Sequence, residues 1–446
     1  MKRHVAVIGA GWSGLAATIT LLDAGLRVTV IDAAPQVGGR ARRVPVELGD
    51  RSYALDNGQH LLIGAYREFM ALARRLGVAI EERFLVTPFA LRYPDGFCLV
   101  ALRAPAPWHL AAALAFARGL DFPARVAAAF WVQRWKRRRW IIADDFPAST
   151  LFAGQPPSLA ERLWGPLCLA ALNVRLEQAS ARMFLRVLGD SLGADPAASD
   201  LLLARTNLSS LLPDAAEHAI RAGGGDLRLR EPVRAIEFDA VPARWRIHLR
   251  AGHVDADGVI LALPPARCVD LLASVTRPEI EAAIGQLAQI GTAPIATVYL
   301  RYPAATRLAH PLLALLERPQ AGDYGQWVFD RGALEPDCAG VLSVVVSGAG
   351  SHTDLAAPDL AEAVVRQLGR CLTLPTPVAH AVLVEKRATI VPGPALSRPD
   401  TRLGLPGIYL AGDAADSPYP STLEGSVRSG LAAARAAVGD ASLNGA

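Results

Sequence analysis

The stretch Val5-Ala6-Val7-Ile8-Gly9-Ala10-Gly11-Trp12-Ser13-Gly14 constrains this chain more than any other. A β-branched apolar run breaks at glycines and passes into a helical pattern with Leu15, Ala16, Ile19 and Leu22 on its apolar side. Gly9, Gly11 and Gly14 reproduce G-x-G-x-x-G. Each spacing has a physical reason: a tight turn, room for backbone to approach a pyrophosphate, and close packing of helix on strand. The free N–H groups of the first helical turn, where Ser13 lies, and the positive end of the helix then face the phosphates. A second strand, Arg27-Val28-Thr29-Val30-Ile31, ends at Asp32, placed to accept hydrogen bonds from adenosine ribose hydroxyls. The triplet alone is also compatible with a ligand-free glycine turn; the full strand, turn, helix, strand and acid context is what makes it a dinucleotide site.

Gly38-Gly39-Arg40 follows closely. Two more glycines let the chain pass near the cofactor, and the arginine can reach phosphate or carbonyl oxygens. This opening resembles that of the amine oxidase and phytoene desaturase flavoproteins, which bind FAD; a simple nicotinamide dehydrogenase is not expected to carry the second glycine pair. The resemblance implies an α/β fold: a discontinuous Rossmann-type FAD-binding domain with an interleaved α+β substrate domain. On that division residues 1–83, 213–270 and 386–446 build the FAD-binding domain, and 84–212 and 271–385 the substrate domain.

The wording becomes more particular at Asp56-Asn57-Gly58-Gln59-His60-Leu61-Leu62-Ile63-Gly64-Ala65-Tyr66, at Glu385-Lys386-Arg387-Ala388-Thr389 and at Thr422-Leu423-Glu424-Gly425-Ser426-Val427-Arg428-Ser429-Gly430. With Trp164-Gly165-Pro166-Leu167, Ala170-Ala171-Leu172-Asn173 and Ala198-Ser199-Asp200-Leu201-Leu202, these resemble the hydroxysqualene dehydroxylase family over nearly the whole chain. By that resemblance Gly58 and Gln59 pass near the isoalloxazine, Val233 meets adenine through its backbone, and Asp413, ending Gly407-Ile408-Tyr409-Leu410-Ala411-Gly412, lies near ribityl and pyrophosphate. By the same resemblance Leu423 begins a helix whose N-terminal amides are expected to stabilise negative charge on reduced flavin. One departure stands out: the family commonly has an aromatic residue after A-G-D, whereas this chain has Ala414-Ala415-Asp416.

The implied reaction is reductive dehydroxylation of hydroxysqualene to squalene, within bacterial hopanoid and squalene biosynthesis. It requires a general acid at the departing oxygen and an apolar, π-rich setting for an allylic cation. His60, Lys386 and Glu424 are the candidates for polar work at the reacting carbon. Each has a plainer reading: a histidine fixing the D-N-G turn, a lysine paired with Glu385 or a surface carboxylate, a glutamate capping its own helix. An oxidative polyisoprenoid desaturase would share the fold, and a non-catalytic flavoprotein presenting lipids to other enzymes is a third possibility.

Composition narrows partners. Across 446 residues, 46 basic and 42 acidic side chains leave a net charge of +4, which gives no global support to nucleic-acid binding. Five cysteines, Cys98, Cys168, Cys268, Cys338 and Cys371, lack C-x-x-C spacing, so reduced thiols in a cytoplasmic setting and no metal site are expected. The first strand begins within five residues of Met1, so no signal peptide is expected. Mean hydropathy is nevertheless positive. The segment 106–140 runs from a nearly all-apolar helix into Trp131, Trp135 and Trp140 interleaved with Arg134, Lys136, Arg137, Arg138 and Arg139. It reads either as a peripheral anchor at the inner face of the cytoplasmic membrane or as a buried helix before a solvated basic turn. An isoprenoid substrate and upstream squalene-pathway synthases complete the expected partners.

Overall fold

Residues 2–104, 108–193, 195–241 and 243–440 are described by a computed structural model. β1 (His4–Ile8) and β2 (Arg27–Ile31) form as the alternating apolar runs predict, joined by α1 (Trp12–Asp23). They pair in parallel, Val5 opposite Val28, and three distant segments complete one five-stranded sheet in the order Asp226–Arg228, β2, β1, Gly258–Leu261, Ile408–Leu410. The parallel sheet is therefore gathered from three parts of the chain.

One face of this sheet carries α1, the helix Pro213–Ala222 and the C-terminal helix Leu423–Val438 over Val5, Val7, Val28 and Ile260. The other carries a meander of Ala235–Ala240, Ala243–His248 and His253–Ala256 around the buried Trp245. The C-terminal helix lies so near α1 that a Cβ on Gly430 would meet the Ser13 carbonyl oxygen at 2.1 Å.

The second sheet is antiparallel, in the order Leu312–Ala314, Trp327–Asp330, Val341–Ser347, Thr292–Arg301, Ala379–Ile390. Its residues Val298, Leu300, Val328 and Val344 pack beneath the helix Ala357–Cys371. Two of the expected boundaries move. The 270/271 division falls within the helix Pro265–Leu272, and 385/386 within the strand Ala379–Ile390, because both elements span the junction they were meant to mark.

Helices Trp108–Ala115, Phe122–Arg137, Gly165–Leu172 and Ala181–Leu192 share a further apolar cluster. The start of the apolar helix expected from Ala106 lies outside the described residues. Trp131 and Trp135 do not form the membrane-facing rings expected of them: both are buried, Trp131 stacking on Phe152 at 4.9 Å between centroids and lying 4.7 Å from Trp164. Ala124, Ala128, Trp131 and Trp135 recur at helical spacing, so they form the inward stripe and these two rings face the core rather than lipid headgroups. Among the described residues no helix is long and apolar enough to cross a membrane, no acidic, histidine and cysteine cluster can hold a metal, and all five cysteines are free thiols.

Candidate active site

The glycines of the fingerprint set the geometry. Gly9 has φ +107°, and a Cβ there would lie 2.3 Å from the Ala262 carbonyl oxygen. Gly38 N–H donates to Ala10 O (2.8 Å), drawing the second glycine pair over the first, so that a Cβ on Gly39 (φ +62°) would sit 3.0 Å from the Gly11 Cα. Above this crossing the N-terminus of α1 is open: Gly11 occupies the N-cap and no side chain caps the first turn. Unpaired amides at a helix start, facing a groove floored by glycine backbone, fit a pyrophosphate.

A cavity of about 390 Å³ runs from here between the two sheets. Gly9, Gly11, Ser13, Asp32, Gly39, Arg40, Gly58, Gln59, Asp413 and Leu423 all line it. Gly14 does not; it works from beneath, where the helix backbone crosses Gly9. Val233 does not either, because its side chain is buried with Ile8, Ile31 and Val259 behind the sheet. Asp32 accepts from Ala10 N (2.6 Å) and Ala34 N (2.7 Å), which fixes its carboxylate at the end of β2. Arg40 donates to Asp413 Oδ2 (2.5 Å) and to the carbonyls of Arg387 (3.0 Å) and Ala388 (2.8 Å), tying the C-terminal turn to the antiparallel sheet.

Of the three candidates for polar chemistry, the structure brings one to the main cavity. His60 lines it and its Nδ1 donates to Gly58 O (2.6 Å), so the turn-fixing reading is correct as far as Nδ1 goes. A carbonyl only accepts, so the proton sits on Nδ1 and Nε2 is left with its lone pair. Burial holds this imidazole below its ordinary pKa. Lys386 is exposed and lines neither cavity, whereas its neighbour Glu385 lines the main one and accepts from Asn57 Nδ2 (3.3 Å).

Glu424 is buried, but it caps another helix rather than its own. It accepts from Glu68 N (3.1 Å) and Phe69 N (2.9 Å) at the start of α2 (Arg67–Arg75) and from Arg428 Nε (2.7 Å). Burial still pushes its carboxyl above the usual range. Glu424→Ala is expected to cost about 1–3 kcal/mol, measurable by denaturant unfolding, since it strands the buried Phe69 amide and removes partners of the Glu68 amide and the Arg428 guanidinium. A variant as stable as the parent would remove this capping role.

Sequence reasoning missed several residues. Trp327 and Phe329 from the second sheet and Asn173, at φ +58°, line the main cavity. Asn173 joins the helical and sheet parts of its wall: Nδ2 donates to Pro294 O (3.1 Å) and Thr389 Oγ1 (2.9 Å), and Oδ1 accepts from Gly348 N (2.6 Å). Its position just after a helix is a C-cap signal, but the partners are far away in sequence.

A second cavity of about 140 Å³ continues from the first. Leu61, Tyr66, Ala170, Ala171, Trp327 and Thr422 line both. Beyond them its walls are mainly apolar, including Phe89, Leu91, Phe184, Leu188 and Leu201, with Glu424 and Asp190 at its polar margin.

Residues 12–438 match the family of flavin containing amine oxidoreductases. Hydroxysqualene dehydroxylase of Rhodopseudomonas palustris (strain ATCC BAA-98 / CGA009) is 31% identical over 454 residues, spanning 97% of this chain and 98% of the relative. This chain belongs to the flavin containing amine oxidoreductases, in the hydroxysqualene dehydroxylase family. A second member, from Sinorhizobium fredii (strain NBRC 101917 / NGR234), is 28% identical over 99% of both chains. Among solved structures, an oxidoreductase from Methanosarcina mazei superposes with a TM-score of 0.71 at 16% identity, over 96% of this chain and 99% of that one, and shares the fold. The family cofactor is FAD, and the glycine cradle, the open helix start and the Arg40–Asp413 bridge fit it. The protein is an FAD-dependent oxidoreductase.

Proposed function

We propose that the protein removes the allylic hydroxyl of hydroxysqualene reductively and releases squalene and water. The observation that carries this reading is the pair of joined cavities: a glycine-floored groove that fits FAD opens, past Leu61, Tyr66, Ala170, Ala171 and Trp327, into an apolar recess suited to a hydrocarbon chain. The names of the relatives support the same substrate.

FAD, when bound and reduced, supplies the hydride. The chain's own residues then hold the hydrocarbon, exclude water and deliver a proton to the departing oxygen. The C–O bond breaks with that proton going to the oxygen, and the hydride closes the new C–H bond. Trp327 and Phe329 offer π faces beside the reacting region, and Leu61, Leu169 and Val345 keep it dry. His60 is the proton donor in this account. Nδ1 is held by Gly58, so Nε2 is the atom that takes a proton from solvent and passes it on.

A lowered pKa makes the protonated imidazole a strong acid present in small amount at neutral pH. The dehydroxylation rate is therefore expected to rise as pH falls toward that depressed pKa and to decline above it. His60→Asn keeps a donor to Gly58 O but has no Nε2, so it is expected to retain FAD, lose this pH limb and slow at least tenfold. An unchanged rate and pH profile would return His60 to a purely turn-fixing role.

Product analysis tests the function itself. FAD-loaded protein with excess chemical reductant should convert hydroxysqualene to squalene. Inertness toward hydroxysqualene, with oxidised enzyme instead introducing a double bond into a saturated polyisoprenoid segment, would make the protein a desaturase.

A further inference from the structure

Four aromatic side chains stand out from the helical half of the molecule: Trp108, Phe116, Phe122 and Phe130 are 68%, 75%, 77% and 73% exposed. Scattered apolar side chains on a surface are ordinary, but four large exposed rings on one helical hairpin call for an occupant. The hairpin is Trp108–Ala115, a turn at Gly119 (φ +83°), and Phe122–Arg137. Phe116 and Phe122 flank that turn, and Trp108 and Phe130 each lie eight residues further back along their helices, about 12 Å at the helical rise.

The tip is built rather than loose. Arg125 donates to Ala115 O (2.7 Å) and Leu120 O (3.0 Å), pinning the end of one helix to the start of the next. Asp121 caps the second helix, accepting from Ala124 N (2.8 Å). The inward stripe of Ala124, Ala128, Trp131 and Trp135 anchors the hairpin in the core, so the outward rings are held exposed by packing beneath them.

Charge decides what they meet. Arg134, Arg137, Arg138 and Arg139 are exposed where the second helix ends, and from Trp108 to Trp140 the only acidic residue is Asp121, whose carboxylate is used as the cap. We propose that this hairpin docks on an anionic phospholipid bilayer, with the Phe116 and Phe122 tip entering the acyl region and the arginines on lipid phosphates. Long cationic side chains beside buried rings suit a headgroup layer. A second copy of the chain would set arginine against arginine and is disfavoured. The docking stands without any assumption about the substrate. If the substrate is the isoprenoid proposed above, the placement has a purpose: the hairpin's inner face shares one apolar cluster with Phe89, Leu91, Phe184 and Leu188 of the recess wall.

The test is sedimentation of FAD-loaded protein with phosphatidylcholine vesicles, with and without phosphatidylglycerol, in the absence of substrate. Parent protein should bind phosphatidylglycerol vesicles and be released by salt. The pair Phe116→Ser and Phe122→Ser should lower binding at least about tenfold. The pair Arg134→Glu and Arg137→Glu should abolish the preference for phosphatidylglycerol. Both pairs should keep the parental melting temperature and bound flavin, because these side chains are exposed. Parent protein that stays in solution, or a phenylalanine pair that binds as well as the parent, overturns the proposal. So does a patch substitution whose effect is to dissociate a soluble oligomer. None of these readings depends on turnover, so failure here is distinguishable from failure of the proposed reaction.

Discussion

Gly14→Ala is expected to purify without FAD and to unfold at a clearly lower temperature than the parent. A Cβ at Gly14 would lie 1.9 Å from the Gly9 carbonyl oxygen and 3.0 Å from its carbonyl carbon. Both are backbone atoms, so no rotamer relieves the clash. Gly9 cannot move away, since its own Cβ position already borders the Ala262 carbonyl at 2.3 Å. On the far side, the C-terminal helix presses against Ser13 through Gly430. The methyl group must push α1 off the strand it crosses, and the open helix start is what faces the pyrophosphate. A loss of FAD affinity of at least 100-fold is expected, with a destabilisation of roughly 2–4 kcal/mol from overpacking. Absorbance of the purified protein and titration of added FAD check the first; calorimetry checks the second. Retention of stoichiometric FAD would mean that the helix does not seat the phosphates.

The second large effect is expected at the junction of the two cavities. Ala170 belongs to the helix Gly165–Leu172 and lines both spaces. Ala170→Trp should leave FAD binding intact, since it changes none of the fingerprint, Asp32 or the Arg40–Asp413 bridge. It should nevertheless close the passage into the recess and, on the proposed reaction, reduce squalene formation from hydroxysqualene at least about 100-fold, the usual scale for misplacing a reacting atom by an ångström. A short allylic alcohol, which needs no recess, should still be reduced within about threefold of the parental rate. If Ala170→Trp handles hydroxysqualene normally, the recess is not where the hydrocarbon lies.

Much of this was legible because it is local. Gly9, Gly11, Gly14 and Asp32 carry their meaning in spacings fixed by one turn and two strands, and all sit where that spacing predicts. The three family motifs converge on one cavity, yet within them the sequence could not choose the working side chain. Lys386 and Glu385 are adjacent in a strand, where neighbours point to opposite faces. The register between Ala379–Ile390 and Thr292–Arg301 also shifts at Ala293 and Ile295, which no local pattern announces. Glu424 was legible as a cap but not as the cap of α2, since its partners Glu68 and Phe69 come from the other end of the chain. The basic hairpin is the reverse case. Its helical spacing already places Trp131 and Trp135 on the alanine stripe and leaves Phe122 and Phe130 outward, so a face-by-face reading recovers which rings are exposed.

The central claim is that the flavin groove and the apolar recess form one site in which reduced flavin is consumed by hydroxysqualene. The most direct measurement is anaerobic: the purified protein is photoreduced, mixed with hydroxysqualene, and followed by the visible flavin absorbance while products are quantified. Oxidised flavin is expected to return, with squalene formed in equal amount. Flavin that stays reduced in the presence of hydroxysqualene, while oxidised enzyme is bleached by a more saturated polyisoprenoid, would contradict it and reverse the direction of the reaction.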